Sequence, residues 1–444
     1  MQAPAAWGLM VCVDTPPGRT IRRGLTGVNM HRAVAGPLKP SVPAACVLAW
    51  LGALGAVPAQ APPLEIALRD GTTLLATELT GDPAQGVEVV AAGMRRRVAA
   101  GELLAVHGAP AKIAELPAAY LCGGEVVRGV VAGGDATGDH LELLSPVLGR
   151  VSIAVDRIAV LAAAGVARPT LLELPEGVGE ALYLRAQVGY DLVAGTLHQF
   201  GEQGVKFQPA AGAARWYAAT EFVALRIADA APRSGPAPVQ LLTRTGDRLG
   251  ITVRKLTTKV VQCELEGGAV VDLRLSDLAC LSFAGVGTFL SDLKPSEVAE
   301  SGFEGDVVYP WQRDHAALGG PLLAGGRAHG KGLGVHSRSR LSFQVPEGCE
   351  RFWTRVGLDD SAAELRVQAN ADVRVLVNGK LVFERLGLAA GRAPQDTGAL
   401  PVKPGDTLTL EADFGHGREL GDRIDWLSPV FLPGGPFLPG GRRP

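Results

Sequence analysis

Aromatic residues make up only 5% of this 444-residue chain, and patterns typical of long helices are scarce. Short apolar stretches instead alternate with Gly and Asp-Gly turns, which is typical of β-rich folds. Hydrophobic residues account for 47% of the chain, which excludes a mostly disordered protein. The composition predicts an all-β protein with room for about two to four ordinary domains.

The chain also lacks the short motifs that mark common active sites. It contains no G-x-S-x-G, no H-E-x-x-H and no P-loop, and its eight histidines are dispersed. A (β/α)₈ barrel would need about 250 residues with regular helices, which this sequence does not offer. A glycosidase would also need two carboxylates at a defined separation. We therefore expect a protein without catalytic activity.

A dense basic patch is absent as well, and the formal net charge is -2. Residues 1–61 carry five basic residues and one acidic residue, which leaves 38 basic and 44 acidic residues downstream. A mildly acidic chain of this kind argues against nucleic acid as a partner.

The N-terminal region has the pattern of an export signal. Residues 42–57 are apolar, Arg32 and Lys39 precede them, and Ala59-Gln60-Ala61 has the form of a cleavage site. The apolar core is too short for a comfortable membrane span. An uncleaved anchor is the alternative interpretation.

About forty residues precede this signal, which is an unusual position. We expect Met30 to be the true start and residues 1–29 to come from an over-extended gene model. The signal peptide then covers about residues 30–61, and N-terminal sequencing of the mature protein should begin near Pro62. The protein is expected in the periplasm, at the cell surface or in the medium, with no membrane span after cleavage.

Few cysteines follow the cleavage site: Cys122, Cys263, Cys280 and Cys349. None forms a CxxC pair or a metal-type spacing. Cys263 and Cys280 could form a disulfide, because they fall in strands predicted to be adjacent. Buried free thiols are the alternative.

Four segments between residues 62 and 286 share one plan of short strands and Gly-containing turns. Their closing halves, from one strand to a final aliphatic stretch, have nearly equal lengths. Each segment is too small to bury a large core alone, so we expect small barrels or stacked units. The pattern is similar to the curved sheets of Sm-like and SH3-like barrels. The predicted β units, joined by Pro/Ala-rich linkers, are residues 62–108, 118–166, 178–230 and 238–286.

Residues 287–433 have the pattern of a β-sandwich of jelly-roll type. Their strand candidates alternate apolar and polar residues over about 145 residues. Asn378-Gly379, between two such strands, is the strongest hairpin signal in the chain. The Gly- and Pro-rich tail, residues 434–444, is predicted to be disordered.

Several motifs of this C-terminal third occur in the order of a known family. They are Leu290-Ser291-Asp292-Leu293, Lys331-Gly332-Leu333-Gly334-Val335-His336, Val356 to Asp360, and Asp425-Trp426. With them the region 287–432 resembles NPCBM, a carbohydrate-binding module attached to family 98 glycoside hydrolases and some α-galactosidases. The resemblance implies a galactose-binding-like jelly roll and non-catalytic carbohydrate binding, as in family 51 modules. The chain departs from the family pattern at Ser361 to Glu364, where a Gly-rich stretch is usual.

Sugar binding needs an aromatic face for the ring and polar side chains for the hydroxyls. The candidate carbohydrate-binding residues are Tyr309, Trp311, Asp314, His315, His336, Trp353, Asp425 and Trp426. Several have a structural alternative: Trp353 alternates with Phe352, so one of the pair faces the core, and Trp426 has the context of a core residue. His336 has the context of a buried side chain that fixes the Gly-rich turn.

Asp359 and Asp360 are candidate ligands for a structural calcium ion, which favours clustered carboxylate oxygens. Capping of a turn, with the carboxylates accepting backbone N–H bonds, is the alternative. No cofactor is required for the expected function.

The leading hypothesis is an exported, non-catalytic protein that binds a glycan or polysaccharide through its C-terminal jelly roll. One alternative is a structural or scaffolding protein of the envelope, whose jelly roll contacts other proteins, since a fold does not fix a function. The second alternative is an accessory part of a glycoside hydrolase system.

Overall fold

A computed structural model describes residues 63–135, 137–166, 179–187, 189–227, 237–266, 268–303, 307–365, 367–416 and 418–434. The predicted signal peptide and the predicted disordered tail, apart from its first residue, lie outside these residues. The described chain is built from strands joined by turns and a few single helical turns, so the all-β prediction is confirmed. No described helix is both long enough and apolar enough to cross a membrane.

Four consecutive groups of strands, which we name units 1 to 4, form the N-terminal part. Unit 1 has the strands β1 (Leu64–Leu68), β2 (Thr73–Asp82), β3 (Gly86–Ala91), β4 (Met94–Val98) and β5 (Leu103–His107), and unit 2 has β6 (Ala118–Leu121), β7 (Val126–Arg128), β8 (Val130–Gly134), β9 (His140–Ser145), β10 (Gly149–Ala154) and β11 (Ile158–Ala162). Unit 3 has β12 (Ala181–Arg185), β13 (Tyr190–Gly201), β14 (Gly204–Pro209), β15 (Arg215–Ala218) and β16 (Phe222–Arg226). Unit 4 has β17 (Val239–Thr243), β18 (Arg248–Leu256), β19 (Val260–Leu265), β20 (Val270–Arg274) and β21 (Leu278–Phe283).

All four units have the same antiparallel pairing. The first strand pairs with the second and with the last, the second with the third, and the third with the fourth. In unit 2 the second strand is divided into β7 and β8 at Gly129, where a Cβ would lie 2.7 Å from the Leu144 carbonyl oxygen. The four groups therefore share one order of antiparallel pairing, with five strands in units 1, 3 and 4 and six in unit 2.

The units associate in a nested order through their last strands. Strand β5 of unit 1 pairs with β21 of unit 4, where Val106 lies opposite Leu281. In the same way β11 of unit 2 pairs with β16 of unit 3, where Leu161 lies opposite Leu225. These pairings cover strand edges that would otherwise expose unpaired backbone groups. The buried side chains of the four units accordingly join in one apolar core.

The C-terminal part, which we name the module, contains fourteen strands among its described residues. They are β22 (Thr288–Phe289), β23 (Glu297–Glu300), β24 (Gln312–Arg313), β25 (Leu322–Ala324), β26 (Arg327–His329), β27 (Gly332–His336), β28 (Ser339–Gln344), β29 (Cys349–Leu358), β30 (Asn370–Val377), β31 (Lys380–Ala389), β32 (Gln395–Asp396), β33 (Leu400–Pro401), β34 (Thr407–Phe414) and β35 (Arg423–Pro433). Single 3₁₀ turns over the described chain are Val155–Arg157, Leu275–Asp277, Leu290–Asp292 and Asp360–Glu364.

Two sheets of the module face each other in a β-sandwich. One has the order β24-β27-β35-β29-β32, with β22 and β33 at its margins, and the other the order β23-β28-β34-β30-β31. Side chains such as Val335 and Phe352 from the first sheet pack with Phe343 and Val373 from the second. This is the predicted jelly-roll sandwich.

The predicted hairpin at Asn378-Gly379 is present between β30 and β31. Val377 pairs with Lys380, and both turn residues have positive φ, 50° at Asn378 and 76° at Gly379. These angles fit a two-residue turn of the primed type, which matches the twist of the flanking strands. The turn therefore fixes the register of the hairpin.

Of the two alternatives for Cys263 and Cys280, a disulfide or buried free thiols, the structure has the free thiols. Strand β19, which carries Cys263, pairs with β18 and β20, whereas β21, which carries Cys280, pairs with β17 and β5. Both cysteines are buried free thiols, because the two strands are not neighbours in the sheet.

Candidate functional site

The Gly-rich motif of β27 owes its composition to close packing on both sides of the strand. Leu333 and Val335 point into the sandwich core and are fully buried. Gly332 and Gly334 point to the other side, where a Cβ would lie 2.5 Å from the Trp426 carbonyl oxygen and 2.2 Å from the His315 carbonyl oxygen, respectively. The motif is therefore a structural requirement of this strand.

Asp314 joins the module to unit 4 through a buried ion network. Its carboxylate lies 3.2 Å from the Lys331 Nζ and 3.2 Å from an amino group of Arg248, and the backbone N–H of Gly332 donates to it at 2.9 Å. Burial raises the pKa of a carboxyl group, but the charges of Lys331 and Arg248 outweigh this effect and lower the pKa of Asp314. Asp314 is only 8% exposed, so this predicted sugar-binding residue serves the joint between two parts of the fold.

The two tryptophans Trp353 and Trp426 are also buried. Trp426 packs in the sandwich core, as its structural alternative anticipated. Trp353 belongs to the core shared with the repeat units, and its Nε1–H donates to the Asp396 carboxylate at 2.9 Å. Because a sugar ring can contact only atoms that solvent reaches, both side chains stabilise the fold in this structure.

Asp425 is fully buried beside Asp359. Burial raises the pKa of Asp425 well above its ordinary value, and the neighbouring Asp359 carboxylate raises it further. This environment favours the neutral acid at Asp425. The side chain cannot meet a sugar at the surface.

Asp359 and Asp360 both accept hydrogen bonds from backbone N–H groups. Asp359 caps the 3₁₀ turn through Ser361 and accepts from the Leu323 N–H, and Asp360 accepts from the N–H groups of Gly325 and Gly326. These contacts correspond to the turn-capping alternative. Among the described residues, no group of three or more His, Cys, Asp or Glu side chains is arranged to hold a metal ion. The calcium role stays a prediction.

Tyr309, Trp311 and His336 come together at one end of the sandwich. We name it the distal end; β23 ends there, β27 turns into β28, and β35 begins there. The rings of Tyr309 and His336 lie 4.5 Å apart, and Tyr309 is 36% exposed. Trp311 is half-buried against the sandwich core, and its backbone N–H donates to the Glu300 carboxylate at 2.6 Å. Of the predicted platforms, Tyr309 presents the most accessible ring.

His336 is held in one tautomer. Burial lowers the pKa of its imidazole, which favours the neutral ring. Its Nδ1 lies 3.0 Å from the Ser337 carbonyl oxygen. Since a carbonyl oxygen can only accept, Nδ1 carries the hydrogen, and Nε2 is left as a hydrogen-bond acceptor.

Sequence reasoning missed a group of aromatic and charged residues beside this pair. Phe303 and Phe414 pack edge to face at 5.3 Å, with the guanidinium groups of Arg418 and Arg338 over their rings at 5.3 and 5.1 Å. The Glu419 carboxylate accepts from the Phe303 N–H at 2.6 Å. These residues are far apart in the chain, so no local pattern could have identified them.

His315 lies away from the distal end. Its Nδ1 donates to the Arg313 carbonyl oxygen at 2.8 Å, and its side chain lines a cleft between the module and units 2 and 4. The predicted site residues therefore divide between two ends of the module and its core.

The two sheets of the module form a β-sandwich of the galactose-binding-like class. Residues 287–432 match the family model described as the NPCBM/NEW2 domain, in agreement with the resemblance seen in the sequence. The match covers the C-terminal third of the chain.

Comparison with known proteins gives relatives of this module. A Renibacterium salmoninarum protein named "Putative endo-alpha-N-acetylgalactosaminidase" is 27% identical over 27% of this chain, and the match spans only 8% of that protein. The family 51 module of the Clostridium perfringens GH95 protein, solved with methyl-galactose, is 19% identical over 33% of this chain and 99% of that chain, with a TM-score of 0.29. The tandem family 51 modules of a Streptococcus pneumoniae family 98 glycoside hydrolase are 12% identical, covering 71% of this chain and 88% of that chain, with a TM-score of 0.29.

Proposed function

We propose that this chain is an exported, non-catalytic protein that binds glycans through the distal end of its module. The observation that carries the proposal is the Tyr309 ring, which is 36% exposed and lies tilted against the His336 ring. An aromatic face can pack on the C–H side of a sugar ring, and the buried His336 ring, 7% exposed, packs against the Tyr309 ring and helps to hold it in place. The match of this region to a carbohydrate-binding family supports the same function.

The charged groups around the pair suit a polyhydroxylated ligand. Arg418 and Glu419 lie on the loop that precedes β35, and Arg338 lies on the turn between β27 and β28. Guanidinium groups donate hydrogen bonds and a carboxylate accepts them, so together they can pair with both functions of a hydroxyl group. Shallow sites of this kind gain specificity from a few well-placed polar groups.

A glycan array probed with the full-length protein tests the proposal. We expect binding to at least one glycan, and a loss of roughly tenfold or more in affinity for Tyr309→Ala, because the aromatic face is removed. The matched control is Tyr190→Ala, which removes a tyrosine of similar exposure (40%) from unit 3 and should bind like the parent. Parallel arrays with calcium and with chelator examine the calcium prediction.

The possible outcomes separate function from site. Binding to no glycan contradicts the proposed function. Binding that survives Tyr309→Ala unchanged leaves the function standing but removes the distal end as its site.

A scaffolding role is the second candidate, and one feature of unit 2 favours it. Val130 and Leu144 lie opposite each other on β8 and β9 and are 55% and 51% exposed. Adjacent exposed aliphatic side chains are common in protein contacts. An accessory role in a glycoside hydrolase system is supported by the partial match to a much longer protein named as a glycosidase.

A further inference from the structure

A cleft of about 420 Å³ lies where units 2 and 4 meet the module. Unit 2 contributes Tyr120 and Arg128, unit 4 contributes Leu242 and Arg248, and the module contributes Arg313 and His315. This volume lies within the usual range for a pocket that holds one small molecule. Tyr309 and His336 do not line this cleft.

Arg128 is the central feature of the cleft, because it is a buried cation without a described counter-ion. It is only 9% exposed, and its Nε–H donates to the Gly246 carbonyl oxygen at 3.3 Å. The nearby Asp247 carboxylate accepts from the backbone N–H of Arg128 and from two threonine hydroxyls. Among the described residues, none forms an ion pair with the Arg128 guanidinium. A buried charge without a partner is costly, so this group has an energetic need for an anion.

Arg248 in the same wall provides an internal comparison. Arg248 is 4% exposed, but it pairs with Asp314 at 3.2 Å and also donates to the Asp314 and Gly330 carbonyl oxygens. Arg248 is therefore neutralised by Asp314, whereas Arg128 has no counter-ion among the described residues. The difference identifies Arg128 as the group left for a ligand.

The other walls indicate the kind of anion. No Asp or Glu is found among the described residues that line the cleft, and Arg313 adds a second positive charge. The buried Tyr120 hydroxyl has no hydrogen-bond partner. Ile113, Val126 and Leu242 supply apolar surface. An anionic group joined to an apolar or ring-shaped body would match all of these features.

We propose that this cleft binds a small organic carboxylate that carries a ring. The planar guanidinium of Arg128 matches a carboxylate in a two-point hydrogen-bonded pair. Tyr120 supplies a neutral hydrogen bond, and the aliphatic side chains contact the body of the ligand. The site is independent of glycan binding at the distal end.

Cys122 offers a direct readout, because it lines the cleft and is half-buried, whereas Cys263, Cys280 and Cys349 are buried. The full-length protein is treated with iodoacetamide, and alkylation of Cys122 is measured by peptide mass spectrometry. The probes are benzoate and D-glucuronate, at concentrations up to about 20 mM to reach a millimolar Kd. Benzyl alcohol and D-glucose are their uncharged counterparts.

We expect at least one carboxylate to protect Cys122 while its uncharged counterpart does not. Protection by benzoate alone indicates an aromatic acid, and protection by glucuronate alone indicates a sugar acid. If neither carboxylate protects the thiol, or if the uncharged molecules protect it equally, the proposal is overturned. These outcomes are measured on the unmutated protein, so they do not depend on any variant being folded.

Variants then locate the anion. Arg128→Gln should raise the carboxylate concentration that half-protects Cys122 roughly tenfold or more, because it removes a charge-assisted hydrogen-bonded pair. Arg95→Gln removes an exposed arginine from unit 1, and the carboxylate should protect Cys122 in this variant as well as in the parent. If Arg128→Gln does not fold, as judged by circular dichroism, Tyr120→Phe serves in its place and should weaken protection severalfold. Unchanged protection in a folded Arg128→Gln protein overturns the assignment, and unchanged glycan binding in it separates this site from the distal end.

Discussion

The two ends of the module use similar residues for opposite purposes. At the end that faces the repeat units, Asp314 and Trp353 are 8% and 3% exposed and are held by partners from other elements. At the distal end, Tyr309 is 36% exposed beside the buried His336. The aspartate and tryptophan were as plausible for sugar binding in the sequence as the tyrosine.

A polar or aromatic side chain of this module is structural where other parts of the chain bury it, and it is available to a ligand where they leave it exposed. Arg355 of the module pairs with Glu65 of unit 1 at 2.7 Å, and the Asp314 network reaches Arg248 of unit 4. These contacts desolvate one end of the sandwich and leave the other accessible. The following changes test that division.

The largest effect is expected for Asp314→Ala. The substitution leaves Lys331 and Arg248 as buried cations with one fewer partner, which should lower the free energy of unfolding by about 3–5 kcal/mol. Urea unfolding measures the change. Glu88→Ala in the exposed pair with Arg95 is the control and should change stability by less than about 1 kcal/mol. Equal effects of the two substitutions would show that the joint is not buried as described.

The next effect concerns pH, because the two ends contain carboxyl groups shifted in opposite directions. At the distal end Asp422 is fully buried, and burial raises its pKa from 3.8 to about 6. Between these values the folded protein holds a proton that the unfolded chain has lost, so this group makes stability fall as pH rises from about 4 to 6. The lowered pKa of Asp314 has the opposite sign, and its contribution is lost as pH falls.

Asp422→Asn should therefore remove a loss of up to about 2 kcal/mol between pH 4 and 6. Unfolding curves of parent and variant over this range measure the difference. Asp272→Asn, at an exposed position of unit 4, is the control. A variant whose stability follows the same pH profile as the parent would contradict the assignment to Asp422.

The smallest effect is expected for Trp353→Phe, which removes the hydrogen bond to Asp396 and part of the packing with the repeat units. We expect a loss of about 1–2 kcal/mol in thermal unfolding, with glycan affinity unchanged. Trp216→Phe, at a tryptophan that is 49% exposed, should change stability by about 0.5 kcal/mol or less. A large loss of glycan binding in Trp353→Phe would restore this tryptophan as a ligand contact.

Much of the fold follows from local patterns. The alternation in β28 and β30 predicts one face toward a core, and Phe343 and Val373 are fully buried there. Asn378-Gly379 predicts its hairpin because few other residue pairs adopt positive φ easily.

The site was less predictable, for a physical reason. Tyr309 and His336 were found by residue type, but Phe303 and Phe414 meet only after more than a hundred residues of intervening chain have folded. The choice between a disulfide and free thiols at Cys263 and Cys280 was open for the same reason, because β17 and β18 lie between β21 and β19 in the sheet.

The sequence by itself determined the all-β class, the hairpin at Asn378-Gly379, the inward faces of the strands and the membership of residues 287–432 in a recognisable module. These depend on neighbouring residues, whose turn preferences and alternation act over a few positions. Only the tertiary structure decided which aspartates and tryptophans are covered, which aromatic ring stays open to solvent, and that Arg128 has no counter-ion among the described residues. Exposure and charge pairing depend on what other segments bring to the same place, and those segments are distant in the chain.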